Sequence, residues 1–380
     1  MLRNPGNSSC IKKAIPHLSA VLWFALVAFA GTAHADPFEL AFTELSPGVW
    51  AGVREDSTRI PVVGNSLFVV GDKGVIVYDS SVASTSEQVM AKMREVTDLP
   101  ITHMVVSHWH GDHNLGVSRI IQEFPSVQVI SHEFTRAAMA GSNLDYARNL
   151  ERVEGYLPSM QEAVETGIEN GEPVNETTRE WYRVFLEVSD IVDTEYRRSP
   201  PVVPTVTFKD RMVIHSGERQ IELLYLGDAN TAGDIVLWLP AEKVVATGDM
   251  VVVPTPYGFN VPPRKWVQTL KNLNALGYKS LLPGHGAIQR DTAYVDLIIE
   301  TAESIADQRD ALLAKGLTNE EAQEKLDYSK FRNRYTGGEP LLEGLFDAWF
   351  TIPFSAAAFK ALTGEPMVVV GPSEYDTGAE

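Results

Sequence analysis

The sequence predicts an α/β fold. Two observations carry that reading. From Val75 onward, short apolar runs rich in β-branched residues alternate with segments whose apolar residues recur at helical spacing. At 380 residues with 44% hydrophobic content, the chain can also bury a large core. Two helix-prone regions, about 135–200 and 291 onward, interrupt and then follow the alternation. The length leaves room for one elaborated domain or two.

The first 35 residues stand apart. Arg3, Lys12 and Lys13 precede the apolar run Ala20–Ala30, which is too short to span a bilayer. Ala33-His34-Ala35 is a small-x-small cleavage site. The pattern reads as a secretory signal peptide over 1–35, cut after Ala35, with a periplasmic mature chain beginning at Asp36. The single cysteine, Cys10, lies before the apolar run, so it is not a lipoprotein anchor. Any metal site in the mature chain must therefore be built from His, Asp, Asn and water. Cleavage removes three basic residues and no acidic ones. That leaves 29 basic against 50 acidic residues and moves the formal charge from −18 to −21. With no basic patch, nucleic acid and acidic membranes are excluded as partners. A small-molecule substrate is expected, with no stable membrane association after cleavage. A homo-oligomer stays open.

From Phe42 to Val70 the chain alternates in short segments, Gly48–Val53 and Asn65–Val70 among them. Gly71-Asp72-Lys73-Gly74 reads as a hairpin turn leading into the strand Val75–Asp79. Ser84–Thr97 reads as a helix capped by Ser84 or Ser86. Ile101–Val106 is an apolar strand, followed by a helix from about Asn114 to Phe124 and a strand at Val127–Ile130. Over 135–200, Leu144, Ala147, Leu150, Val153 and Leu157 fall at helical spacing. A second helix is expected from about Asn175 to Tyr196, ended by Pro200-Pro201. This helical insertion lies over or beside the functional edge, or packs far from it. Strands resume at Met212–His215, Ile221–Tyr225, Ile235–Leu239 and Lys243–Ala246. Pro263–Leu276 forms a helix and Lys279–Leu282 a strand. Residues 291–380 form a helical C-terminal extension. Thr318-Asn319-Glu320-Glu321 marks a helix start. The apolar face of Leu341, Leu342, Leu345, Phe346, Trp349 and Phe350 is suited to scaffold packing, to closure over the site or to a dimer contact.

The chemistry concentrates in Ser107-His108-Trp109-His110-Gly111-Asp112-His113-Asn114, directly after a strand. Imidazole and carboxylate are the ligand types that suit zinc and similar divalent ions. On a turn, neighbouring side chains splay. His108 and His110 can face one metal while Asp112 and His113 face a second.

His108-Trp109-His110-Gly111-Asp112-His113 resembles the His-x-His-x-Asp-His signature of the metallo-β-lactamase-fold hydrolases. The resemblance runs from about Phe42 to about Gly286. It implies a four-layered αββα sandwich over 36–290 with the metals at one edge. It implies that Asp79, at a strand end, supports the metal loop from behind. It implies that Asp249, in Thr247-Gly248-Asp249, bridges two metals. His285, in Pro283-Gly284-His285-Gly286, completes the second site. The family pattern Gly-x-x-His-Thr-x-Gly-Asp is matched at Thr231, Gly233 and Asp234, but Asn230 stands where the third histidine of site 1 belongs. An amide oxygen is a weaker donor to zinc than imidazole nitrogen. Asp228, two residues earlier, is a candidate substitute, and the plain alternative is that Asn230 makes only turn hydrogen bonds. The implied ligands are His108, His110, Asp249 and Asn230 at site 1, and Asp112, His113, Asp249 and His285 at site 2. One zinc is expected to bind tightly at site 2 and a second more weakly. Asp112 is expected to orient the attacking water as the catalytic carboxylate.

Trp109, Tyr257 and Phe259 are candidates for the substrate pocket. His103 and His215 read as structural, and His132 as a residue that can approach the pocket. No Gly-x-Ser-x-Gly motif is present, so metal-assisted hydrolysis of a small ester, lactone or β-lactam-like amide is the leading reading. A non-catalytic metal-binding accessory protein with a degenerate site, and an iron-dependent oxidoreductase of the same fold, are the alternatives.

Overall fold

The computed structural model describes residues 36–54, 58, 63–141, 150–169 and 171–368. The signal-peptide reading of 1–35 lies outside these residues. So do Leu144 and Ala147 of the insertion and the tail beyond Val368.

Two sheets form the centre. The first has seven strands. They are β1 (Ala41–Ser46), β2 (Val49–Val53), β3 (Ser66–Val70), β4 (Val75–Tyr78), β5 (Ile101–Val105), β6 (Gln128–His132) and β9 (Val206–Phe208), in that spatial order. The second has five: β10 (Arg211–Ser216), β11 (Arg219–Tyr225), β12 (Ile235–Leu239), β13 (Val244–Ala246) and β14 (Ser280–Leu282). The expected hairpin closes β3 onto β4, with Gly71 N donating to Gly74 O at 2.9 Å. Strands β4, β5, β6 and β9 run parallel, as do β13 and β14.

The alternation of side chains explains the layers. Leu67 and Val69 of β3, with Ile76 and Tyr78 of β4, share one core with Ile235, Leu237 and Leu239 of β12. That core lies between the sheets. Phe68, Val75 and Val77 point the other way, into helices α1 (Ala83–Val96) and α3 (Val117–Glu123). Val236, Trp238 and Val245 likewise point outward onto α7 (Pro263–Ala275) and α8 (Ala293–Ala314). Sheets covered on both faces carry near-continuous apolar strands, as β4 and β12 do. The result is the expected four-layered α/β/β/α arrangement.

Several local expectations are corrected. Helix α1 begins at Ala83, and neither Ser84 nor Ser86 caps it. Val82 holds the cap position, and its N–H donates to Thr85 Oγ1 at 2.9 Å. The helix expected from Asn114 is two pieces, a turn α2 (Gly111–Asn114) and α3, separated at Leu115-Gly116. A Cβ at Gly116 would sit 2.0 Å from Ser80 O, so the chain passes too close to the β4 exit loop for one straight helix.

The insertion is helical, as expected: α4 (Glu133–Met139), α5 (Leu150–Thr166) and α6 (Glu176–Arg197). A small hairpin, β7 (Ile168–Glu169) with β8 (Glu172–Pro173), lies between α5 and α6. The end of α6 is anchored at the start of α1. Ala83 N donates to Ser199 Oγ at 2.8 Å and Ser84 N to Glu195 Oε1 at 2.7 Å. Val188 and Val192 bury beside α1.

The C-terminal helices are α8, α9 (Asn319–Gln323), α10 (Ser329–Thr336), α11 (Pro340–Leu345) and α12 (Ile352–Thr363), with a π-helical turn at Phe346–Thr351 before α12. Thr318 caps α9 as expected, with Glu321 returning a bond to Thr318 N at 2.9 Å. Phe331, Phe346, Phe350 and Phe354 bury fully against Trp266 and the outer face of the second sheet. The apolar face thus packs on the scaffold. Among the described residues, no helix is long and apolar enough to cross a membrane.

Candidate metal centre

The carboxyl ends of β4, β5, β13 and β14 meet at one edge, where open α/β sheets ordinarily place their ligand sites. Asp79 follows β4, the His108–His113 segment follows β5, Asp249 follows β13 and His285 follows β14. Backbone bonds lock these exits together. Asp79 N donates to Val105 O at 2.9 Å, Thr247 N to Leu282 O at 3.0 Å and Ile235 N to Ser107 O at 3.1 Å. Two glycines are required by close approach. Gly248 adopts φ +52°, and a Cβ there would lie 2.6 Å from Ser107 Oγ. A Cβ on Gly284 would lie 2.1 Å from Asp249 Oδ1.

Two groups of donor atoms converge. His108 Nε2 lies 2.9 Å from His110 Nδ1 and 3.5 Å from Asp249 Oδ2. His113 Nε2 lies 3.3 Å from His285 Nε2, 3.6 Å from Asp112 Oδ2 and 3.1 Å from Asp249 Oδ1. His285 Nε2 lies 3.0 Å from Asp112 Oδ2 and 3.5 Å from Asp249 Oδ1. Asp249 thus offers one oxygen to each group. Donors bound about 2.0–2.2 Å from a shared tetrahedral zinc stand roughly 3.3–3.5 Å from one another. The second group, at 3.0–3.6 Å, lies close to that spacing. The first is more uneven, with His108 Nε2 2.9 Å from His110 Nδ1 but His110 Nδ1 4.0 Å from Asp249 Oδ2.

The hydrogen-bond chemistry also calls for a cation. Asp79 Oδ2 lies 2.9 Å from His113 Nδ1, and a carboxylate there requires the nitrogen to donate. The facing Nε2 of neutral His113 is then a bare lone pair directed at two carboxylates and a second imidazole. Asn230 Oδ1 is buried with no hydrogen-bond partner among the described residues, and Asp249 Oδ1 faces the imidazole nitrogens His113 Nε2 at 3.1 Å and His285 Nε2 at 3.5 Å. Without a metal, burial opposes charge on His113, yet Asp249, Asp112 and Asp79 raise its pKa well above the ordinary value. A bound cation supplies the same positive charge. For Asp249, burial is likewise outweighed, and the charges of His113 and His285 hold it well below the usual carboxylate range. Burial, reinforced by His113, lowers His108 to about 4, so it is a neutral donor. The residues present fit a metal.

Asp79 lies behind His113, its Oδ2 2.9 Å from His113 Nδ1. It also accepts from Ser107 N at 2.8 Å, and it adopts φ 53°, a left-handed conformation that Asp tolerates better than most residues. Asn230 points inward. Its Nδ2 lies 3.4 Å from both His110 Nδ1 and Asp249 Oδ2. Asp228 does not replace the missing histidine. It binds Tyr225 Oη at 2.5 Å and Lys265 Nζ at 2.6 Å, away from the cluster. Asp234 ties the Asn230 loop by accepting from Thr231 N at 2.5 Å and Thr231 Oγ1 at 2.6 Å. Burial raises its pKa to about 7 against those bonds.

The other sequence candidates separate. Trp109 is buried in the core behind His110, with ring centroids 4.3 Å apart. Tyr257 lies against His285 at 5.6 Å, and Phe259 lies 5.6 Å beyond Tyr257. His132 caps α4 and stacks on Tyr225 at 4.6 Å. His103 bonds Thr102 Oγ1 at 2.9 Å on β5, and His215 sits on β10.

Asn65 is a residue the sequence reading missed. Its Nδ2 donates to Pro283 O and Gly286 O, both at 2.9 Å, bracketing His285. A single Asn before a strand gives no sequence signal for such a clamp. Trp349 was seen only as part of an apolar face, yet its ring meets Tyr257 edge-on at 5.5 Å.

The model of the metallo-beta-lactamase superfamily matches residues 59–314. The chain belongs to this superfamily. The fold and the His/Asp cluster of this metallo-beta-lactamase relative together imply a metal. A linear primary-alkylsulfatase from a Pseudomonas strain is 25% identical over 276 residues, covering 70% of this chain and 50% of that protein. An atrochrysone carboxyl ACP thioesterase from Pseudocercospora fijiensis is 29% identical over 91 residues, covering 23% of this chain and 27% of that protein. The chain thus spans half or less of these curated relatives. The solved structure of a stereoselective inverting sec-alkylsulfatase from Pseudomonas sp. superposes with a TM-score of 0.55 at 16% identity. It covers 82% of this chain and 50% of that one, a likeness of fold alone.

Proposed function

We propose that this protein is a zinc-dependent hydrolase of small ester-type substrates. The observation that carries the reading is the convergence of two imidazole–carboxylate donor groups on the two oxygens of Asp249. His108, His110, Asp249 and Asn230 would hold one metal. Asp112, His113, His285 and Asp249 would hold the other. When bound, such metals lower the pKa of a water and polarise the oxygen of the bond to be cleaved. Asn230 would join the first set through its carbonyl oxygen, unpartnered among the described residues, after a half-turn of its amide. That neutral donor makes the first site the weaker one.

The chain's own residues divide the remaining work. Asp79 fixes the tautomer of His113. Asp112 is the carboxylate that reaches solvent, 21% exposed against 1% for Asp249. It is therefore the group available to orient a water and accept its proton. His110, 22% exposed, borders the same opening.

Carboxylic esters, lactones and β-lactams are the first substrate classes. The alkylsulfatase relative adds sulfate esters to them. The first donor group alone, two histidines and one carboxylate, is also the donor set of iron(II) oxygenases, which favours an iron-dependent redox enzyme as the second reading. Residues 1–35 are proposed as an export signal. The fold supports a boundary there, because Phe38 is already buried in the core and Asp36 Oδ1 accepts from Phe38 N at 2.9 Å. Metal analysis of the purified protein, combined with a hydrolysis panel over these ester classes, tests the proposal. Bound zinc with turnover is expected. Bound iron without hydrolysis would give the second reading, and no turnover on any class would leave a metal-binding accessory protein.

A further inference from the structure

The C-terminal helices approach the metal centre at Trp349, which meets the neighbour of a ligand-bearing histidine. The π-helical turn Phe346–Thr351 keeps Phe346 and Phe350 fully buried while Trp349 stays only partly covered. Such wide turns occur often at functional sites. Trp349 O accepts from Gly258 N at 2.8 Å. The fit is tight, since a Cβ on Gly258 would lie 2.6 Å from Phe354 Cβ. The ring of Trp349 meets Tyr257 edge-on at 5.5 Å. Tyr257 in turn lies 5.6 Å from His285 and 5.6 Å from Phe259. Phe259 is 42% exposed, so its ring is open to a ligand beside Tyr257. Three partly uncovered rings therefore run outward from a ligand-bearing histidine.

We propose that Trp349 is a specificity-determining residue: with Tyr257 and Phe259 it forms an aromatic wall that binds an alkyl or aryl group attached beside the hydrolysed bond. The wall explains why the C-terminal helices interlock with the Pro254–Asn260 loop instead of merely covering the second sheet. Aromatic side chains next to a few convergent polar groups are the usual make-up of a small-molecule site. The inference rests on the hydrolase reading for its reaction, and on the rings alone for its binding preference.

The test uses zinc-loaded mature protein. Binding of octanoate and acetate is measured by calorimetry, and turnover of ethyl octanoate and ethyl acetate by pH-stat. Octanoate should bind at least about tenfold more tightly than acetate. Trp349→Ala should remove most of that preference, raise KM for the octanoate ester about tenfold, and leave acetate binding, kcat and zinc content unchanged. Phe259→Ala should give a smaller loss in the same direction, and Trp349→Phe should retain most of the preference. Should Trp349→Ala fail to fold, the other two variants carry the comparison. Octanoate binding unchanged in Trp349→Ala and Phe259→Ala, or equal losses for octanoate and acetate, would overturn the wall. A chain-length preference sensitive to Trp349, with no turnover of these esters or of any class in the wider hydrolysis panel, keeps the wall and removes the hydrolase reading. Turnover with no such preference does the reverse.

Discussion

Asp79 touches no position proposed for a metal, yet the geometry makes the second site depend on it. Asp79→Asn is the informative change. Asn tolerates φ 53° nearly as well as Asp, so the backbone is preserved. The aspartate accepts two buried bonds, from His113 Nδ1 at 2.9 Å and from Ser107 N at 2.8 Å. An asparagine has one acceptor oxygen for these two donors. It satisfies one of them and sets its NH2 against the other. Losing one buried bond to a charged acceptor costs about 1.5–3 kcal/mol. Removing a carboxylate behind a ligating histidine typically weakens metal binding by about 10–100-fold, or roughly 1.4–2.7 kcal/mol. Both routes give the same range. Zinc affinity of Asp79→Asn, read by competition with a chromophoric chelator, should therefore fall about 10–100-fold at the tight site. The weaker site, whose histidines do not bond Asp79, should change by less than about threefold. A folded variant whose tight zinc binds within twofold of the parent would refute this reasoning.

Asn230→His should tighten the weaker site, seen in the same titration as two zincs of closer affinity; an unchanged weak step would place Asn230 outside the metal's reach. Zinc binding at pH 7 should release about one proton, measured by calorimetry in buffers of differing ionisation enthalpy. The sign follows from the metal-free protein: burial disfavours a charged His113, but Asp249 and Asp112 raise its pKa well above the usual value, so its Nε2 proton must leave. Affinity at the second site should thus rise with pH, while His108, lowered to about 4, contributes no proton. Mature protein exported from a Gram-negative host should begin at Asp36 by N-terminal sequencing, and an intact Met1 on membrane-bound protein would overturn the export reading.

Much of this architecture was legible in the sequence because its signals are local. The hairpin at Gly71–Gly74, the strand exits and the capping box at Thr318–Glu321 each follow from a few adjacent residues. The His108–His113 segment is legible for the same reason. Contacts across the fold were not. Asn65 reaches Pro283 across more than two hundred residues, and Trp349 meets Tyr257 only because a π-helical turn presents it. The break between α2 and α3 was hidden too. It is imposed by the approach of Gly116 to Ser80, which no helical propensity records. The inward direction of Asn230 and the outward direction of Asp228 depend on a loop held by Asp234 and on a charge pair with Lys265. Neither direction is written in the spacing of two residues.

The proposed hydrolysis belongs to the cluster centred on Asp249. Turnover of the best substrate from the ester panel should be followed before chelation, after chelation and after zinc is restored, in parent protein and in Asp249→Ala. Chelation should abolish turnover, zinc should restore it in the parent, and Asp249→Ala should neither retain zinc nor recover. Turnover that survives both chelation and Asp249→Ala would contradict that proposal.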